Sequence, residues 1–480
     1  MSEILEGVLD EFKNLAAIPR PSKHEERVSN FLKEYLQAQG FQVAQDENKN
    51  IVAEIPASPD KKNAPLTILQ AHMDMVCVAA ENYKYDPLND PIKVIRTENF
   101  LQAEGTSLGA DDGMGIAEIL YLVKANNFSH GPIRIIFTTD EEQGMSGAVN
   151  LDKKFFVDAK FLINCDSENY DELVVGSAGS MRINFRRKVN YVAPEKNFRA
   201  SFKIKIDGLR GGHSGIEIHK NRANAIKVMK NILREVGRRG NFQPANFSGG
   251  RAANVIPSDA EIIIVTDLTE EKIFNCCSAV KNLIQKNYDE PNFKIEVAAT
   301  ERPEKVFSAQ DTEDFLALIT LIHSGVYAVS SATNSPTQSA NLGVVKIFGG
   351  EIDITFLPRS NSTDLLDDFL EAGAQIAKLT NFEVEFGRKS PAWNFNPKSL
   401  LAKIMAKIFE EQNNFKPKVH TIHAGLECNA FLEKNPCLDV VSIGTTNEFI
   451  HSPQERLHLK TVEPQVKLIA ATLEKVSALD

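Results

Sequence analysis

The chain lacks the features that would tie it to a membrane, to nucleic acid or to an oxidising compartment. No run approaches the ~18 consecutive apolar residues of a membrane span. The opening Met1-Ser2-Glu3-Ile4-Leu5-Glu6 has neither the basic region nor the apolar stretch of an export signal, so a cytoplasmic protein is expected. Basic residues are the minority charge: 54 Lys and Arg against 64 Asp and Glu leave a formal net charge of -10. That balance argues against nucleic-acid or anionic-membrane partners, which leave a basic patch. Cysteine is sparse. Cys77, Cys165, Cys276, Cys277, Cys428 and Cys437 form no CxxC and no regular framework, so neither a disulfide scaffold nor zinc held by thiolates is supported. Cys165, at the end of the run Phe161-Leu162-Ile163-Asn164-Cys165, reads as a packing residue. Low-complexity tracts and short solenoid repeats are absent as well.

What is present is a soluble globular composition, 42% hydrophobic and 25% charged, in 480 residues, more than one ordinary core accommodates. To about residue 187, helices expected at 2–17, 24–39 and 112–126 alternate with strands at 50–56, 65–71, 133–137 and 160–165. Strands this apolar between amphipathic helices predict an α/β domain with a mixed, mostly parallel sheet flanked by helices. From 188 to 392 the texture changes. Elements at 198–207, 219–238, 242–249, 259–266, 269–288 and 293–300 run strand, helix, strand, strand, helix, strand, the order of a ferredoxin-like α+β unit. A less regular second pass follows, with helices at 308–325 and 362–379 and strands near 340–348, 351–358 and 382–387, so the insert has room for a duplicate. Helix 398–413, strand 438–443 and helix 461–478 return to the earlier style. The expected domains are therefore 1–187, 188–392, and 393–480 completing the first.

Five stretches place acids or histidines where strands meet loops: His72-Met73-Asp74, Gly109-Ala110-Asp111-Asp112-Gly113, Asp140-Glu141-Glu142, Asn164-Cys165-Asp166 and Phe449-Ile450-His451. In a mostly parallel sheet, ligands bind beyond the carboxyl ends of the strands, and three of these stretches fall there. Side chains two apart in a strand share a face, so Asp74 can hydrogen-bond His72 and fix the tautomer that binds metal. Taken singly, most have an ordinary structural explanation: a capped strand end at His72-x-Asp74, or an acid favoured by the helix dipole at Asp111. Together they are a set of carboxylates that repel one another unless cations hold them.

The stretches Leu69-Gln70-Ala71-His72-Met73-Asp74-Met75-Val76, Leu108-Gly109-Ala110-Asp111-Asp112-Gly113, Thr139-Asp140-Glu141-Glu142, Leu209-Arg210-Gly211-Gly212-His213-Ser214-Gly215 and His423-Ala424-Gly425-Leu426-Glu427-Cys428 closely resemble the aminoacyl-histidine dipeptidases (peptidase D) of the M20 metallopeptidase family. The resemblance spans nearly the whole chain, with the motifs in order. It implies a di-zinc exopeptidase catalytic domain with the ferredoxin-like insert as its lid. It further implies that His72 and Asp166 bind one zinc, Glu142 and His451 the other, and Asp111 both, while Asp74 orients His72. Glu141 is then the general base for a metal-bridged hydroxide, with manganese or cobalt as alternative metals. His213 resembles the lid histidine that reaches the oxyanion, within one chain or across a dimer interface, so monomer and homodimer both stay open.

Substrate contacts are read less directly. A dipeptidase must recognise a free carboxylate, and Arg359 in Leu357-Pro358-Arg359-Ser360 offers a bidentate fork. Asn254 in Ala253-Asn254-Val255-Ile256-Pro257 matches a polar position used beside the substrate in the family, and the loop around Gly425 is a lining of the pocket. A surface arginine and a turn asparagine are the alternatives. The implied substrates are dipeptides, including Xaa-His and β-alanyl-histidine. Alternatives are an aminoacylase or tripeptidase on the same fold and, in another class, a noncatalytic small-molecule-binding or assembly protein. The presence of Glu141 and all five presumed ligands argues against the last.

Overall fold

The computed structural model describes residues 2–331 and 335–479. The chain divides into two compact units, one made of 1–176, 393–421 and 426–480, the other of 177–392 and 422–425.

The first unit is built on an eight-stranded sheet in the order Gln42–Gln45, Ile51–Ile55, Ile133–Thr138, Leu66–His72, Ala159–Asn164, Asp439–Ser442, Glu172–Ser177, Lys418–Ile422. Ile133–Thr138, Leu66–His72, Ala159–Asn164 and Asp439–Ser442 are mutually parallel. They are buried almost throughout, which explains why their sequences read as continuous apolar runs. The strands Gln42–Gln45 and Ile51–Ile55 add on antiparallel. Helix Glu3–Ala16 buries Val8, Leu9, Phe12 and Leu15 at three- and four-residue spacing, and the Ser2 hydroxyl caps it by accepting from Leu5 N at 3.2 Å. It packs with helix Ala110–Ala125 into the core of this unit. The parallel strands end on the same side. There the chain presents His72 at the end of its strand, Glu141 and Glu142 just after Thr138, and Asp166 just after Asn164.

The second unit has a ten-stranded sheet whose main path runs Lys294–Ala299, Ala200–Asp207, Ala260–Thr266, Phe242–Gly249, Pro336–Phe348, Glu351–Ser360, Ile183–Lys188, Glu383–Phe386. Numbered by position along the chain, the first four strands stand in the order 4-1-3-2. The next four, with Ile183–Lys188 as the first of their set, stand as 2-3-1-4, the same order from the opposite edge. Ile183–Lys188 pairs antiparallel with both Glu351–Ser360 and Glu383–Phe386. The expected boundary at 187/188 therefore cuts this strand from its partners, and the contacts place the break at 176/177 instead. The reason is physical: alternating apolar residues in Ile183–Lys188 mark a strand but carry no information on which sheet receives it. Apolar residues from both halves of the sheet and from helices Ala225–Gly237, Glu270–Asn287, Ala309–Leu321 and Leu365–Leu379 form a separate core.

Candidate active site

His72 is fully buried at the end of Leu66–His72. Its Nε2 lies 3.0 Å from Asp111 Oδ1 and 3.3 Å from Asp166 Oδ1. Its Nδ1 lies 3.1 Å from the Asp74 carbonyl and 3.4 Å from Asp74 Oδ1. The nearer orienting group is thus the Asp74 main chain rather than its side chain. The Asp74 carboxylate instead accepts from Ser22 Oγ at 2.7 Å and from the backbone N–H groups of Glu141 and Glu142 at 3.0 and 3.2 Å. One aspartate therefore ties the loop carrying both glutamates to the strand carrying His72.

Asp111 lies near the start of helix Ala110–Ala125, after a left-handed Gly109. The loop into it is held from two sides. Glu455 accepts from the N–H groups of Leu108, Gly109 and Ala110 at 2.8, 3.1 and 2.9 Å. The buried Arg20 guanidinium donates to the Gly109 carbonyl at 2.5 Å and to the carbonyls of Met73 and Asp74 at 3.0 and 3.2 Å. The second Asp111 oxygen, Oδ2, lies 3.2 Å from His451 Nε2, which is also 2.9 Å from Glu142 Oε1. His451 occupies the turn between Asn447–Glu448 and Arg456–His458, paired strands of a small four-stranded sheet.

Two donor triads result, His72–Asp111–Asp166 and Asp111–Glu142–His451, each with its ligand atoms within 4.8 Å of one another and sharing Asp111. A third grouping, His72–Glu141–Glu142, brings Glu141 to the same place. Imidazole nitrogen and carboxylate oxygen suit zinc, manganese and cobalt. Electrostatics fit the same reading. Burial opposes charge on His72, but Asp166, Asp111 and Asp74 outweigh it and raise its pKa well above the ordinary value. His451 is raised to about 11 by Asp111 and Glu142 against the same burial cost. Burial also lifts Asp166 to about 7 and Glu168 to about 7, and raises Glu141 and Glu142. A cluster that holds protons so strongly has too little positive charge at its centre, and divalent cations would supply it.

The remaining expected residues belong to the second unit. His213 follows the left-handed glycines Gly211 and Gly212. Its Nδ1 accepts from the N–H groups of Gly215 and Ile216 at 3.3 and 3.2 Å, leaving the ring proton on Nε2. Asn254 is exposed, and its carbonyl accepts from Ser214 N at 2.8 Å, next to His213. Arg359 is not on the surface. It is buried opposite Ser339 in the strand register, and its Nε has no hydrogen-bond partner among the described residues. Burial lowers it to about 10. Beside it, His423 Nε2 lies 2.7 Å from Ser339 Oγ and His423 Nδ1 3.0 Å from Asn361 Oδ1. Burial and the Arg359 charge hold this imidazole down at about 3, hence neutral. Gly425 closes the segment Ile422–Gly425 that contains His423.

Sequence reasoning passed over Arg20, Ser22, Glu168 and Glu455, and left Glu427, together with His423 and His219, as structural. Glu168, two residues beyond Asp166, could have been found by extending the acid-after-strand search by one step. Arg20, Ser22, Glu427 and Glu455 are partners across 52 to 357 residues of chain, with no local signature.

Shared donor triads at the carboxyl ends of parallel strands define a metal-dependent hydrolase, and the comparisons narrow it to a metallopeptidase. The chain belongs to peptidase family M20/M25/M40, whose model matches residues 68–475. It is 30% identical over 475 residues to the cytosol non-specific dipeptidase of Escherichia coli (strain K12), covering 98% of this chain and 97% of that protein. The crystal structure of aminoacylhistidine dipeptidase from Vibrio alginolyticus superposes with a TM-score of 0.84 at 30% identity, over 99% of this chain and 98% of that one. Human carnosine dipeptidase 1, with a TM-score of 0.52 and 14% identity over 99% of this chain and 98% of that one, shares the fold.

Proposed function

We propose that the chain is a cytoplasmic dipeptidase holding two divalent cations, zinc in the first instance, and cleaving dipeptides that include Xaa-His and β-alanyl-histidine. The observation that carries this reading is Asp111, one oxygen 3.0 Å from His72 Nε2 and the other 3.2 Å from His451 Nε2, a carboxylate set between two donor groups. In this assignment His72, Asp111 and Asp166 hold one cation, and Asp111, Glu142 and His451 the other. When bound, such ions activate water at neutral pH and polarise the scissile carbonyl. Glu141, beside the triads but in neither, receives the proton of the attacking water on a carboxylate oxygen and returns it to the leaving amine. Asp74 keeps His72 and the Glu141–Glu142 loop in register. His213, with its proton on Nε2, donates to the developing oxyanion. Arg359, a buried guanidinium with no ion-pair partner among the described residues, binds the substrate's terminal carboxylate, with Asn254 and Gly425 lining the substrate site. The second unit acts as the lid.

The dipeptide reading is supported by the named activities of the two relatives at 30% identity. Its test is hydrolysis of free dipeptides against their N-acetyl forms, with native, chelator-stripped and zinc-restored protein. Free dipeptides should be cleaved, stripping verified by elemental analysis should abolish turnover, and zinc should restore it. Preference for the N-acetyl forms would make the chain an aminoacylase instead, and activity that survives stripping would remove the metal assignment.

A further inference from the structure

Glu427 is fully buried at the N-terminal end of the helix Cys428–Lys434, yet its contacts lie at the strand ends that carry the site. Its Oε2 accepts from Gln70 Nε2 at 2.7 Å and from Thr138 Oγ1 at 2.6 Å. Gln70 Nε2 also lies 3.1 Å from Thr138 Oγ1, and Gln70 Oε1 accepts from Asn164 Nδ2 at 2.6 Å. Gln70 and Thr138, which bond Glu427, and Asn164, which bonds Gln70, come from three adjacent parallel strands. Gln70 is two residues before His72, on the same face of the strand. Thr138 is the register partner of His72 and leads into Glu141 and Glu142. Asn164 is the register partner of Gln70 and stands two before Asp166, whose N–H it meets at 3.4 Å.

We propose that Glu427 is a positioning residue for the peptidase reaction, one buried carboxyl oxygen pinning two strands directly and a third through Gln70, so that His72, Glu141–Glu142 and Asp166 converge. The inference rests on the assignment of those residues to the metal site. It deepens that assignment by naming what keeps three ligand-bearing strand ends in step. Full burial separates Glu427 from groups that meet substrate. Its other oxygen, Oε1, has no hydrogen-bond partner among the described residues, and burial raises its pKa to about 8. Both of its hydrogen bonds go to side chains on ligand-bearing strands and neither to a proposed ligand, so it works through geometry. Glutamine in its place keeps an acceptor oxygen for both donors, whereas alanine leaves Gln70 and Thr138 with unmade hydrogen bonds in the interior.

The experiment compares full-length wild type, Glu427→Gln, Glu427→Ala and Thr138→Val. Zinc affinity is read by competition with a chromogenic chelator, kcat and KM on one dipeptide, and folding by circular dichroism. Glu427→Ala should lose about 10–100-fold in zinc affinity and in kcat, the range for groups that support metal ligands. KM should change little. Thr138→Val, which keeps the shape and removes one donor, should move both quantities in the same direction by a smaller factor, and it decides the matter if the alanine variant does not fold. Glu427→Gln should stay within about threefold of wild type, as expected when an amide oxygen takes over as acceptor for both donors. Folded alanine and valine variants with wild-type zinc affinity would overturn the proposal while leaving the metal site standing. A glutamine variant as inactive as alanine with zinc affinity intact would also overturn it, because Glu427 would then act chemically. A wild-type protein that binds no zinc would defeat the site assignment itself, and the proposal with it.

Discussion

Glu141 and Glu142 are neighbours whose backbone N–H groups share one acceptor, the Asp74 carboxylate, yet their side chains have different surroundings. Glu142 touches His451 at 2.9 Å and belongs to a donor triad with Asp111, whereas Glu141 stands beside His72. Glu142→Gln should therefore weaken zinc binding and lower activity together. Glu141→Gln should keep its metal and lose about 10²–10⁴ in kcat, the usual contribution of a positioned base. Bound zinc and kcat measured on both variants test the division of labour, and loss of metal from the Glu141 variant alone would reverse it. At Arg359 the expectation concerns binding. Arg359→Ala should raise KM for dipeptides and spare the metals, because a carboxylate held equally in ground and transition states contributes to affinity rather than chemistry. An unchanged KM across several dipeptides would take Arg359 out of the substrate site. Residues of the first kind are legible in a sequence, since an acid directly after a buried strand is electrostatically unusual. The burial of Arg359 is not: its neighbours in Leu357-Pro358-Arg359-Ser360 say nothing of Ser339 across the sheet.

At the scale of elements, the hairpin joining Asn447–Glu448 to Arg456–His458 does two jobs four residues apart. His451 enters a donor triad, and Glu455 gathers three consecutive N–H groups of the loop that delivers Asp111. That loop turns at Gly109 with φ of +70°, where an added Cβ would stand 2.6 Å from Met75 Sδ and 2.7 Å from an Arg20 guanidinium nitrogen. Gly109→Ala should accordingly cost roughly 1–2 kcal/mol from the left-handed backbone alone, and the crowding adds to that. A urea midpoint measured on zinc-free protein checks this, and no shift would mean that the loop relaxes without strain. The helix after it was readable from sequence, expected at 112–126 with Asp111 as an acid at its start. Strand Gln42–Gln45 was not foreseen: four residues at a sheet edge, with Val43 and Ala44 adjacent between two glutamines, carry no apolar alternation. The brace from Glu455 depends on a contact across 347 residues, which no local pattern encodes.

For the molecule as a whole, the proposed metal ligands all belong to the first unit, while His213, Asn254 and Arg359 belong to the second, each unit with its own core. The first unit contains a cluster of half-buried acids between the buried His72 and the exposed His451 that cations would neutralise, so removing metal should release repulsion there and nowhere else. Binding to the native state alone stabilises it by mass action, and local openings report where that stabilisation is used. Hydrogen exchange compared with and without zinc should therefore show faster exchange in the zinc-free protein at 72–75, 108–112, 139–142 and 447–452. The amides of strands Ala200–Asp207 and Ala260–Thr266, paired within the second sheet, should keep their protection. A uniform loss of protection across both sheets would mean that the two cores unfold as one cooperative body. Equal exchange in both states at the ligand segments would mean that they are preformed, with Asp74, Arg20, Glu427 and Glu455 sufficient to hold the carboxylates in place against their own repulsion.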